Sequence, residues 1–190
     1  MTGEQEQDIV LAWFNAQALT PKEELVKAEM KREGVAHCVV GETNVYKNGG
    51  FTDAEWVWNA GPEERPSYEH RSAPRGMGTF TDRDNKGAMV HTSQNLVMSR
   101  IERDKDLPLF VIACHFMHSR DMKAHRELWS RIEKLCNEAG EVGDVVLMGD
   151  FNAHTQANGD ETEVDAAGRL MLRMAKKLGL TVVNQMHVRR

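Results

Sequence analysis

Asp144-Val145-Val146-Leu147-Met148-Gly149-Asp150-Phe151-Asn152 is the stretch of this 190-residue chain that decides how the rest is read. An unbroken apolar run of four residues, bounded by Asp and Gly, has the length of a buried strand. A turn follows at once. Side chains alternate along an extended chain, so Asp150 and Asn152 face one way while Phe151 packs inward. Taken alone, Asp and Asn at this place also suit an ordinary turn or cap; what stands upstream weighs against that.

Working outward, residues 8–15 (DIVLAWFN) form another run of buried-strand length. Thr20 as N-cap, Pro21 at the first helical position and Glu23 as capping-box partner predict a helix. Leu25, Val26 and Met30 are its apolar stripe and Gly34 closes it. Residues 36–40 give a second strand ending at Gly41-Glu42-Thr43, so the order strand, helix, strand predicts a parallel crossover. From 46 to 75, Gly49-Gly50, Gly61-Pro62, Pro66 and Pro74 predict a long surface excursion with one short strand at 56–58. Short strands are expected at 76–81 and 87–91, and a hairpin of strands 96–102 and 109–116 turns through 104–108. Asp121 leads into a helix carrying Leu128, Trp129, Ile132 and Leu135, closed by Gly140. Beyond Asn152, Asp165 caps a helix with Leu170, Met171 and Met174 inward, Gly179 ends it, and 181–184 begin one more strand. The pattern is one mixed α/β domain over residues 1–190.

Composition narrows the class. Hydrophobic residues are 41% and charged residues 28%, as in a globular rather than disordered chain. No run of about 18 apolar residues exists, so no membrane partner is expected, and the polar, acidic start has no signal-peptide pattern. Cys38, Cys114 and Cys136 form no C-x-x-C pair and are odd in number; they read as reduced thiols of an intracellular protein, nuclear or cytoplasmic. A net charge of −5 argues against a strong sequence-indifferent grip on nucleic acid. It does not exclude chemistry on phosphates, because a bound cation can recruit them to an acidic site.

Asn15, Glu42, Asp150 and Asn152 all fall at C-terminal ends of predicted strands, where open α/β sheets place their ligand sites. His115 joins them if its strand lies between the others. Hydrolysis of a phosphate ester wants this set. A hard cation such as Mg2+ takes oxygen ligands and keeps most of its waters, so one or two carboxylates hold it. An Asp can orient or deprotonate the attacking water, and amide and imidazole donors stabilise charge developing on phosphate oxygens. Trp56, Trp58 and Tyr68 could stack on bases, but read better as anchors of their loop. Arg120, Lys123, Arg126 and Arg131 read as a solvated helix face.

Gly149-Asp150-Phe151-Asn152-Ala153 after an apolar strand, preceded by a helix and by a strand ending in His115, resembles the endonuclease/exonuclease/phosphatase superfamily, which includes deoxyribonucleases. Trp13-Phe14-Asn15 is similar to its first motif, a Trp-Asn pair, with Phe14 intervening. Gly41-Glu42-Thr43 is similar to its second, the metal-binding Glu. The run including Arg75-Gly76-Met77-Gly78 and residues 168–184 is most similar to endonuclease domains of non-LTR retrotransposons. The resemblance implies a four-layer α/β sandwich and a Mg2+- (or Mn2+-) dependent phosphodiesterase acting on DNA, a hydrolase of retroelement endonuclease type. It implies metal-site roles for Glu42, Asn15 and Asp150 and catalytic roles for Asp150, Asn152, His115 and Asn15. Gln17 stands where relatives often carry a second Asp or Asn, which implies a weaker hold on the ion. The family continues with strands bearing another Asp or Asn and a Ser-Asp-His segment whose His is catalytic, and nothing after Asn184 matches either. The expectation is therefore a C-terminally truncated domain, its second sheet incomplete, completed by a missing segment or a second chain and of reduced or no activity alone. The alternatives are a phosphatase of small or lipid phosphoesters and a catalytically degenerate binding domain.

Overall fold

A computed structural model describes residues 9–19, 22–43, 50–52, 56–60, 76–84, 87–93, 95–104, 106–117, 121–156 and 163–183. In chain order these form Val10–Asn15 (β1), Glu23–Arg32 (α1), Val35–Gly41 (β2), Gly50–Thr52 (β3), Trp56–Ala60 (β4), Met77–Asp82 (β5), Gly87–Ser93 (β6), Leu96–Ile101 (β7), Leu109–His115 (β8), Met122–Gly140 (α2), Asp144–Asp150 (β9) and Ala166–Lys177 (α3). One sheet has the order β1-β2-β5-β4-β3 and the other β6-β7-β8-β9. Each carries one parallel pair at an edge, β1 with β2 and β8 with β9. Each parallel pair is joined by a helix, as parallel pairing requires of its connection.

Alternation along the strands builds four layers. Val26 and Met30 of α1 pack on the outer face of the first sheet against Cys38, Val40 and Phe80. Leu128, Trp129, Ile132 and Leu135 of α2, with Leu170 of α3, cover Phe110, Ile112 and Cys114 on the outer face of the second. Between the sheets lie Val39, Met77, Val97, Leu109, Val111 and Ala113, with Leu11, Trp13, Val146 and Met148 packed against them. The period of two then fixes the polar strand ends. Leu11 and Trp13 are followed in phase by Asn15, Val111 and Ala113 by His115, and Val146 and Met148 by Asp150. Three strands thus carry a polar residue to the same end of the inter-sheet layer.

Asp165 caps its helix as predicted, accepting from Gly168 N at 2.6 Å, and Asp121, expected to lead into a helix, is its N-cap and accepts from Ala124 N at 2.9 Å. Three sequence expectations need correction. The stretch 46–75 holds two strands, β3 and β4, and both belong to the first sheet. Trp56 and Trp58 are core residues, with Trp58 packed on Phe80 at 4.4 Å between ring centroids, so what anchors here is a strand paired with β5. Tyr68 lies outside the described residues. Helix α1 begins at Glu23 with Lys22 in the cap position and no side-chain cap bond; Thr20 and Pro21 lie outside the described residues. Residues 181–183 are not a strand, and Asn184 is outside the described set. All three cysteines are free and buried, and burial pushes the thiols of Cys38 and Cys136 up to about 12 and about 11. Among the described residues no helix is long and apolar enough to cross a membrane.

Candidate functional site

The site is built where the two parallel pairs end. Asn15 is paired with Gly41 across β1 and β2, and His115 with Asp150 across β8 and β9. Glu42 follows β2 directly. His115 Nε2 lies 3.5 Å from Glu42 Oε1 and 4.0 Å from Asp150 Oδ2, so one imidazole spans the gap between the sheets and meets a carboxylate from each. The two carboxylate oxygens can be no further apart than those distances laid end to end. Exposure separates the roles: the His115 side chain is 7% exposed, whereas Glu42 and Asp150 are 29% and 37% exposed and reach solvent.

Backbone bonds fix the rim. Past the strand ends, Ala16 N donates to Gly41 O (3.0 Å), Ala18 N to Glu42 O (2.9 Å) and Leu19 N to Thr43 O (2.9 Å). This continued ladder holds Gln17 (φ +49°), Ala18 (φ +101°) and Glu42 (φ +51°) in left-handed conformations they adopt reluctantly, and Asn152 (φ +44°) beyond β9 is left-handed too. Such torsions cost roughly 1–3 kcal/mol each and persist where surrounding bonds over-determine them. On the other sheet, Gly149 (φ +139°) lets β9 pass close to β8, since a Cβ there would collide with Cys114 O. Asp150 Oδ1 then accepts from Asn152 N at 3.0 Å, which turns Oδ2 toward His115. Phe116 N donates to Asp150 O (2.8 Å), and Asn152 Nδ2 donates to Phe116 O (2.7 Å). Because that partner is an acceptor, the orientation of the Asn152 amide is determined.

An aromatic stack supports the turn from beneath. Phe151 lies over Phe116 and Trp129 with centroids 5.6 and 5.9 Å apart, and Phe116 also packs on His125, whose Nε2 is 2.9 Å from Met117 O. Burial, reinforced by the charge of Asp150, holds the Cys114 thiol well above its ordinary range, so no thiolate competes beside the carboxylates.

The structure therefore brings together Glu42, His115 and Asp150, with the Asn152 backbone bonded to Asp150. Asn15 sits at the same end of the first sheet, its Oδ1 accepting from Gln17 N at 3.2 Å. Gln17 itself is exposed. The structural roles of Phe116, Trp129 and His125 escaped the sequence reading, which saw Trp129 only as helix core. Among the described residues no group of three or more His, Cys, Asp or Glu is placed so that it could by itself hold a metal ion. A Mg2+ ion asks for less: two solvent-reaching carboxylates and an amide oxygen are hard donors, and water supplies the remaining ligands. On donor chemistry these carboxylates and the amide fit Mg2+ or Mn2+, and among the described residues no thiolate or imidazole cluster suits zinc.

Comparison with known proteins agrees with this architecture. Residues 109–189 match the family described as endonuclease-reverse transcriptase. The endonuclease domain of TRAS1, a telomere-specific non-LTR retrotransposon, superposes with a TM-score of 0.71 at 15% identity, over 93% of this chain and 74% of that one. A 3′ phosphatase from Neisseria, bound to a product DNA hairpin, superposes with a TM-score of 0.64 at 14% identity, over 92% and 72%. An AP endonuclease from Leishmania major gives 0.62 at 10% identity, over 87% and 65%. At these identities the likeness is one of fold. No curated protein sequence matches the chain.

Proposed function

We propose that this chain, which has the fold of the endonuclease/exonuclease/phosphatase superfamily, hydrolyses phosphodiester bonds of DNA with a divalent cation, Mg2+ or Mn2+, as an endonuclease of retroelement type. The observation that carries the reading is the meeting of Glu42, just past β2, with His115 and Asp150, at the ends of β8 and β9, at one solvent-facing rim. The retroelement assignment leans on the match over residues 109–189 and on the likeness to the TRAS1 domain.

Glu42 and Asp150 would hold the cation, with the Asn15 carboxamide beside them. When bound, it supplies Lewis-acid charge to phosphate oxygens. The chain's own groups do the rest. Asp150, with Oδ1 engaged by Asn152 N, keeps Oδ2 to orient the attacking water and take its proton. Asn152 uses one amide hydrogen on Phe116 O and retains the second for a phosphate oxygen. His115 Nε2, already between the carboxylates, donates to the charge that grows on the phosphate.

Supercoiled plasmid is the direct test. The purified chain is expected to convert it to nicked circle in Mg2+ or Mn2+ and not in chelator. Asp150→Asn and Glu42→Gln should each lower the rate by on the order of a thousandfold. Cleavage of small phosphate esters or 3′-phosphate ends with plasmid left intact would move the substrate from phosphodiester to phosphomonoester. Wild type and Asp150→Asn behaving alike in every arm would make the domain a binding module instead.

A further inference from the structure

We infer that Trp13 is a positioning residue that holds the His115 imidazole, through a slot left open at Gly41, with Nε2 turned toward Glu42 and Asp150; this rests on the phosphodiesterase reading above. An active-site histidine is commonly oriented by a hydrogen bond to its far ring nitrogen. Here that bond is missing: His115 Nδ1 is buried and has no partner. Packing must set the ring instead. Trp13 approaches it edge-on, with ring centroids 6.5 Å apart and planes at 78°. The indole is in turn seated over Gly41, where a Cβ would lie 2.7 Å from Trp13 Cη2, 2.8 Å from Cζ2 and 3.8 Å from His115 Nδ1. Gly41 is not left-handed, so space rather than backbone torsion excludes a side chain there.

The sequence spacing makes this arrangement specific. One residue separates Trp13 from Asn15, so both share the inter-sheet face while Phe14 packs outward. An adjacent Trp-Asn pair would send the two side chains to opposite faces. The inserted Phe14 thus brings an indole into the layer that ends in the site, next to His115, whose Nδ1 lacks a hydrogen bond.

The test uses Trp13→Ala, Trp13→Phe and Gly41→Ala, each in wild type and in a His115→Ala background. Trp13→Ala is expected to lower kcat for Mg2+-dependent nicking by on the order of a hundredfold, the cost of a misplacement of about 1 Å, with KM within about twofold. Trp13→Phe should recover part of the loss. In the His115→Ala background the further loss should shrink to under about twofold, because the two residues act as one unit. A second readout needs no activity: acylation of His115 by diethyl pyrocarbonate, mapped by mass spectrometry. It should quicken at least about tenfold in Trp13→Ala as the ring is released, while the buried His125 stays protected. Should Trp13→Ala fail to fold, Gly41→Ala displaces the indole without removing it and must show the same changes. Equal kcat losses in the two backgrounds, or an unchanged acylation rate, would overturn the inference. Absence of nicking by wild type would sink the phosphodiesterase reading alone, and acylation would still decide whether Trp13 holds His115.

Discussion

Glu42 occupies a left-handed backbone, φ +51°, that glycine adopts without steric cost. Its carboxylate also stands across His115 from that of Asp150. The torsion opposes stability and favours a site. Glu42→Gly is therefore expected to melt at or above the wild-type temperature, by up to about 1 kcal/mol, once the flexibility that glycine adds to the unfolded chain is set against the relief. Glu42→Gln keeps the torsion and should show no such gain, while both variants lose nicking. A clear drop in melting temperature for Glu42→Gly would mean that the torsion carries no strain. His37 offers a second residue-scale prediction. It is fully buried, its Nδ1 lies 2.8 Å from Thr81 Oγ1, and its Nε2 has no partner. Burial lowers its pKa from 6.5 to about 4. The unfolded chain then takes up a proton near pH 6.5 that the folded chain refuses until about pH 4. Stability should be flat above pH 6.5 and fall across that window by up to about 3 kcal/mol. Urea denaturation at several pH values should show a shallower fall in His37→Asn; equal slopes would assign the acid loss to other groups.

At the scale of elements, the turn after β9 depends on α2. Phe151 packs on both Phe116 and Trp129, which also touch each other, and it separates Asp150 from Asn152 in the chain. Phe151→Ala should cost about 2–3 kcal/mol, below the full range for a buried Phe because Phe151 is only part-buried. Nicking should fall on the order of tenfold further than the stability loss explains. A change under about 0.5 kcal/mol in urea would show that the turn is held by its backbone bonds alone. The elements that frame this turn were legible in the sequence because each signal is local. Asp121 and Asp165 announce their helices, and the apolar runs of β8 and β9 have strand length. Strand β4 was legible only as a short strand at 56–58 and β3 was not legible at all, since glycines and prolines crowd that stretch and the two join the sheet by non-local pairing, β3 with β4 and β4 with the distant β5. Nor could the start of α1 be placed from Thr20 and Pro21, because the helix begins without a side-chain cap at Lys22.

For the whole molecule, strand phase carried the candidate site further than it carried the fold. Counting by twos from Val111 to His115, or from Val146 to Asp150, gives the correct face without knowledge of the partner strand. Which strands share a sheet is a matter of non-local pairing, and nothing within 96–116 or 144–150 announces that this sheet faces β1 and β2. The left-handed Gln17, Ala18 and Glu42 were equally silent, as none is a residue type that favours that torsion. Charge was legible throughout and leads to a last prediction. The chain carries a net charge of −5, and Arg100, Arg103, Lys123, Lys134 and Lys177 each pair with a carboxylate. A chain with a net excess of carboxylates is poorly suited to displacing counterions from DNA. With about two phosphate contacts, affinity should weaken only about tenfold between roughly 50 and 200 mM salt, where a protein with six to ten contacts loses on the order of a thousandfold or more. Fluorescence anisotropy of a labelled duplex at constant Mg2+ gives the slope directly. A steep slope would place a basic surface against the duplex and make counterion release, rather than the carboxylate-held cation, the main source of DNA affinity.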